Sequence, residues 1–191
     1  IGGETAEMPE MYNNDEYDLA GFSVGDVQKK NLIDGERIEA GMKILAFKSS
    51  GFHSNGYSLI RKLIKPDETD LKRKCLTPTR IYVKEIQSLL RKVDISGMAH
   101  ITGGGLNNIK RMNPQFGYQI TDLPELPAHM DHIIARSDLT LKEAYTTFNM
   151  GVGFVIITND ISKAKVICPE LTQIGIVSDK FVGVSVLDQE I

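Results

Sequence analysis

The stretch at residues 43–64, "KILAFKSSGFHSNGYSLIRKLI", decides how the rest of the chain is read. Its opening, 43–47, is an apolar run that predicts a buried strand. Residues 49–56, "SSGFHSNG", are small and polar with glycine twice, which predicts a loop able to bend sharply. Beyond it Leu59, Ile60, Leu63 and Ile64 recur at helical spacing. Working outward, strands are expected over 17–27, 97–102, 116–120, 151–158, 173–178 and 181–188, the last two as a hairpin. Helices are expected over 76–93, with Thr77 as cap, Pro78 in the first turn and a stripe through Ile81, Glu85, Ile86, Leu89, Leu90 and Val93. A helix starts in 106–112, and others are expected over 130–137, 140–149 and 161–168, the second of these capped by Asp138 or Thr140. No steady βαβ rhythm connects them. The fold class is therefore read as α+β, a mixed β-sheet with packed helices, and not a doubly wound parallel sheet.

The 191 residues are 41% hydrophobic and 25% charged, enough for one sizeable core or two small ones. A net charge of -3 argues against a nucleic-acid binder, which normally carries a basic face. Cys75 and Cys168 lie far apart without metal-ligand spacing, which fits packing in a reducing, cytoplasmic setting. No apolar run approaches the ~18 residues of a membrane span.

Four glycine-bearing loops hold the polar groups. In "GGETAEMP" (2–9), Gly2 and Gly3 permit close backbone approach, and Glu4 and Glu7 offer oxygens of the kind that suit Mg²⁺. The same residues also read as a solvated turn with Thr5 as a cap. In "SSGFHSNG", His53 is the one titratable group, among Ser49, Ser50, Ser54 and Asn55. "AHITGGGLNN" (99–108) is strand, three glycines and helix start, an arrangement that exposes N–H groups to an anion. It lacks the Lys-Ser/Thr of a P-loop and the GxGxxG spacing of a dinucleotide site. In "TFNMGVGF" (147–154), Asn149, Gly151 and Gly153 are explained equally by a helix C-terminus.

Taken in order, "GGETAEMP", "YDLAGFSVG", "SSGFHSNGYSLIRK", "LTPTRIYVK", "AHITGGG" and "FNMGVG" resemble one family over nearly the whole chain: aminoimidazole ribonucleotide synthetase, or phosphoribosylformylglycinamidine cyclo-ligase. The resemblance implies the C-terminal part of a longer enzyme. Residues 1–38 would be the end of a truncated N-terminal α/β domain that binds ATP and dimerises, and 39–191 the complete C-terminal α+β domain. It implies ATP-dependent ring closure of formylglycinamidine ribonucleotide through an iminophosphate, with ATP and Mg²⁺ required, a cytoplasmic homodimer for the full-length enzyme, and an inactive fragment. Residue by residue, it implies Glu4 as a Mg²⁺–ATP contact with Thr5 and Glu7 beside it. His53 would be the catalytic group, with Ser54 and Asn55 positioning substrate. Gly103, Gly104 and Gly105 would hold the ribose phosphate, and Asn149 and Gly151 would line the substrate. Glu10 stands where the family's loop has glycine, and the run after Gly105 is one residue shorter.

Two other classes remain open at this level. One is an ATP-using relative such as formylglycinamidine ribonucleotide synthetase, selenophosphate synthetase, thiamine-phosphate kinase or a hydrogenase-maturation protein. The other is a phosphate-binding module without turnover.

Overall fold

The computed structural model describes Gly21 and residues 23–191. The chain divides into two compact units, Ile1–Leu32 and Ile33–Ile191. In the first, the described residues hold a single 3-10 turn, Lys29–Asn31. The strand expected over 17–27 lies partly outside the described residues, and its described part, Gly21 and 23–27, joins no ladder.

The second unit is built on a sheet whose strands are β1 (Lys43–Lys48), β2 (Gly97–His100), β3 (Gly117–Ile120), β4 (Val152–Thr158), β5 (Thr172–Ser178), β6 (Gly183–Val186) and β7 (Gln189–Glu190). Their spatial order is β2-β4-β1-β5-β3-β6-β7. All neighbours are antiparallel except β3 and β6, which run parallel. Helices α1 (Tyr57–Leu63), α2 (Thr69–Cys75), α3 (Val83–Leu90), α4 (Ala128–Arg136), α5 (Leu141–Thr147) and α6 (Ile161–Ile167) pack on it, with a 3-10 helix at Gly105–Arg111.

Both faces of the central strands are covered, which explains why β1 and β4 read as continuous apolar runs instead of alternating ones. Ile44 and Ala46 of β1, with Val155 and Ile157 of β4, join Ile60 of α1, Met130 and Ile133 of α4 and Tyr145 of α5 in one core. Leu45, Phe47 and Ile156 point the other way, onto Ile86 and Leu89 of α3 and Ala164 of α6. The period-two geometry of a strand divides one apolar run between two cores. Cys75 and Cys168 are free and buried in these cores, as packing residues.

Several expectations are corrected. The helix expected from residue 76 begins at Val83. Thr77 instead closes the preceding helix α2, its hydroxyl donating to the Lys74 carbonyl at 2.7 Å, so Pro78 lies in the extended link between helices. Ile81, left outside the helix, is exposed, and Tyr82 takes the buried place; Leu90, in the helix, is exposed as well. Helix α2 was not expected, because its charged run "DLKRK" has little apolar pattern. The segment after Gly104 closes as a 3-10 helix. Strands β5 and β6 do not form a hairpin: β3 lies between them, and β6 instead turns back into β7.

Helix α5 starts where Thr140 is placed to cap it. Its hydroxyl accepts the Glu143 N–H at 3.3 Å, and the Glu143 carboxylate returns to the Thr140 N–H at 2.8 Å, a reciprocal capping box. Thr140→Ala removes one orphan-donor partner and is expected to cost about 1 kcal/mol, seen as a lower urea midpoint with an unchanged slope.

Candidate functional site

The loop at 49–56 leaves the end of β1 and is fastened to the turn between α5 and β4. The Ser49 N–H donates to the Gly151 carbonyl at 2.8 Å. The Asn149 side-chain amide donates to the Gly51 carbonyl at 2.7 Å and accepts the Gly151 N–H at 3.0 Å. Asn149 is buried and both ends of its amide are engaged within the chain, so as placed it holds the loop and does not stand open to a ligand. Gly151 takes φ +82°, a conformation that favours glycine, and completes the same turn.

His53 and Ser54 both lie in the left-handed region, at φ +51° and +60°. Such non-glycine residues store strain and persist only where their surroundings fix them. Here the Ser50 N–H donates to His53 Nε2 at 3.1 Å, and Asn55 Nδ2 donates to the His53 carbonyl. The Ser50 hydroxyl donates to the Pro78 carbonyl at 2.8 Å and accepts the Arg80 N–H at 3.1 Å, which ties the loop to the 77–82 link. Arg80 in turn pairs with Glu85 and Glu170 and lies over the rings of Phe47 and Tyr82.

With Nε2 accepting, a neutral His53 carries its proton on Nδ1. Nδ1 is buried and has no hydrogen-bond partner among the described residues. The ring is 2% exposed and walled by His100 and Tyr82, with ring centroids 5.7 and 6.1 Å away. Gly153 leaves the room for it: a Cβ there would stand 2.8 Å from His53 Cε1 and collide with the Tyr82 hydroxyl. Burial, assisted by the nearby His100, lowers the His53 pKa to about 4. The group is thus a neutral N–H donor near neutral pH, not a cation.

The glycine loop adjoins this one. A Cβ on Gly103 would lie 3.1 Å from Asn55 Oδ1. Gly103 and Gly104 are exposed, and among the described residues no backbone carbonyl takes their N–H groups. The buried Asn108 amide gathers the loop's carbonyls, donating to Gly103 at 3.0 Å and Gly105 at 2.7 Å. Gly105 is buried, and a Cβ there would strike the carbonyls of Tyr145 and Phe148, so it serves close packing against α5. Two clefts flank the pair of loops. One, of about 380 Å³, is lined by the edge strand β2 with Thr102, Asn108 and Arg111. The other, of about 410 Å³, is lined by Arg80, Tyr82, Ile86, His100 and Phe154. His100 faces both.

His53, Ser54, Asn55, Gly103 and Gly104 are thus brought together, with Asn149 and Gly151 beneath them. Glu4, Thr5 and Glu7 lie outside the described residues. Among the described residues no group of three His, Cys, Asp or Glu side chains is gathered to hold a metal ion. Ser50 stands among the polar residues named in the 49–56 loop, whereas Tyr82 and Asn108 carry no signal in the sequence. The link bearing Tyr82 had been read as helix, and Asn108 as an ordinary residue of a helix start. Gly153 did carry a signal, because a glycine inside a strand marks close approach by another group.

The depressed His53 pKa has a direct consequence for stability. The unfolded state takes up the proton near pH 6.5 and the folded state only near 4, so folding is disfavoured as pH falls through that window and is unaffected above it. His100 and His129 are lowered by burial in the same direction. The melting temperature of this chain is expected to be flat from pH 8 to 7 and to fall between pH 6.5 and 5. His53→Gln is expected to make that fall shallower; an equally steep fall in the variant would contradict the assignment.

The family described as "AIR synthase related protein, C-terminal domain" matches residues 39–187. A phosphoribosylformylglycinamidine cyclo-ligase of Clostridium perfringens is 44% identical over 187 residues, covering 92% of this chain and 55% of that protein. One from Geobacillus thermodenitrificans is 47% identical over 172 residues, covering 82% and 49%. The chain therefore spans about half the length of the curated relatives it matches. Among solved structures, thiamine monophosphate kinase from Aquifex aeolicus superposes with a TM-score of 0.58 at 16% identity, covering 83% of this chain and 53% of that one. The hydrogenase maturation protein HypE of E. coli does so with a TM-score of 0.58 at 17% identity, covering 80% and 48%. At such identities these two bear on the fold alone, and they agree with a mixed sheet and packed helices. No helix among the described residues is long and apolar enough to cross a membrane. The match over residues 39–187 makes this chain a member of the AIR synthase related protein family, and that span its C-terminal domain.

Proposed function

We propose that the protein to which this chain belongs is an ATP-dependent phosphoribosylformylglycinamidine cyclo-ligase. The observation that carries the reading is 44–47% identity to relatives of that name. The meeting of loops 49–56 and 103–105 at one end of the sheet supports it. The reaction closes formylglycinamidine ribonucleotide to aminoimidazole ribonucleotide and releases ADP and phosphate. Phosphorylation of the amide oxygen by ATP turns a poor leaving group into a good one, and the neighbouring amidine nitrogen then attacks the same carbon. Holding both ends of one substrate in register supplies much of the acceleration.

In this reading His53 meets the reacting end of the substrate as a neutral donor through Nδ1–H, the atom left without a partner. Ser54 and Asn55 orient the substrate beside it. The N–H groups of Gly103 and Gly104 hold the ribose phosphate, while Gly105 keeps the loop packed on α5. Asn149 and Gly151 act from below by fixing the loop that carries His53. Residues 1–38 complete an N-terminal domain, with Glu4 as the Mg²⁺–ATP contact flanked by Thr5 and Glu7. The full-length enzyme is a cytoplasmic homodimer, and the fragment alone does not turn over. ATP use agrees with the solved relatives, one of which is a HypE in complex with ATP. A second reading, another ATP-using enzyme of the same superfamily, is favoured by the shared fold of the thiamine monophosphate kinases.

The full-length protein is expected to release ADP only when formylglycinamidine ribonucleotide is supplied, and thiamine monophosphate is expected to give none; the reverse pattern selects the second reading. In that enzyme His53→Ala is expected to lower turnover by at least about tenfold. Asn149→Ala, which unfastens the loop, is expected to lower both turnover and melting temperature, since it leaves the Gly51 carbonyl buried without a partner.

A further inference from the structure

We propose that Arg111 is a phosphate-binding residue of this site. Three of the chain's arginines are neutralised by carboxylates: Arg37 by Asp94, Arg80 by Glu85 and Glu170, and Arg136 by Glu68. Arg61, Arg73, Arg91 and Arg111 have no carboxylate partner among the described residues, and of these four Arg111 is the one that lines the cleft beside the glycine loop. It lines the cleft of about 380 Å³, together with Thr102, Asn108 and the edge of β2. It also lies against the glycine loop: a Cβ on Gly104 would stand 3.9 Å from Arg111 Nη2 and 3.8 Å from Asn108 Nδ2. Arg111 Nη2 and Asn108 Nδ2 thus both stand at van der Waals distance from this position, where the φ of +90° itself favours glycine.

A guanidinium offers a planar fork of donors that matches two oxygens of a phosphate, and the charge-assisted pair is stronger than neutral hydrogen bonds. An unpaired arginine in a polar cleft, beside a loop with exposed N–H groups, is the arrangement that recognises a phosphate dianion. Asp34 lines the same cleft, with one carboxylate oxygen accepting the Glu36 N–H. Its charge opposes an anion, so the two side chains act on phosphate with opposite sign.

The identity of the phosphate rests on the cyclo-ligase reading. Under it, the group is the monoester of the nucleotide substrate or the terminal phosphate of ATP. Direct binding of phosphate to this chain does not rest on that reading.

Two measurements test the proposal. First, inorganic phosphate is titrated into this chain by calorimetry. Arg111→Ala is expected to weaken binding by about tenfold or more, Arg111→Lys to weaken it less, and Asp34→Asn to tighten it. Arg111 is exposed, so melting temperatures close to the parent's are expected and serve as the folding control. Second, KM for each substrate is measured in the full-length enzyme with Arg111→Ala. A rise confined to the nucleotide assigns the monoester, and a rise confined to ATP assigns its terminal phosphate. Equal phosphate affinity in the parent and Arg111→Ala overturns the proposal, as does no binding by the parent at millimolar phosphate. A full-length enzyme without substrate-dependent ADP release overturns the cyclo-ligase reading and leaves the calorimetric result to stand by itself.

Discussion

The site depends on the pairing of β4 with both of its neighbours. Lys48, at the end of β1, lies opposite Val152 at the start of β4. His100, at the end of β2, lies opposite Phe154. Because both pairings are antiparallel, the loop after β1, the loop after β2 and the turn before β4 all emerge at the same end of the sheet. Segments more than forty positions apart in the sequence thereby become neighbours. A slip of one residue in either ladder would turn Ile156 and its neighbours to the wrong core, so the hydrophobic pattern that holds the fold also holds the site in register.

What the sheet end brings together is then locked by hydrogen bonds to the backbone. The Asn149 amide joins Gly51 to Gly151, the Ser50 hydroxyl joins the His53 loop to the 77–82 link, and the Asn108 amide turns the glycine-loop carbonyls inward. These polar groups lie in or beside a core where an unpaired group is costly, so each bond has a structural weight greater than it would have in water. They hold His53 and Ser54 in left-handed backbone that would otherwise relax. Strain at a histidine with one ring nitrogen engaged and the other unpartnered is the kind of feature that accompanies a working group.

The relatives share this plan at two depths. The distant ones, at 16–17% identity, keep the sheet and helices. The cyclo-ligases, at 44–47%, keep much of the sequence as well.

The sequence by itself determined the apolar strands β1 and β4, helix α1, the capped start of α5 and the polar loops at 49–56 and 103–105. Each of these is written in local pattern: a run of apolar residues, helical spacing, a Thr with Glu three positions on, or clustered glycine. It also determined the family, through the order of its motifs. Only the tertiary structure decided that β3 separates β5 from β6, because strand order depends on which edges remain unpaired after collapse. It decided that Thr77 ends one helix where the local pattern had it begin another, since Lys74 offered its hydroxyl an acceptor. It separated Gly105, which packs, from Gly103 and Gly104, which stay open. It drew Tyr82 to the site, because its partner Lys48 lies far along the chain and no local spacing encodes a contact that a ladder of antiparallel strands creates.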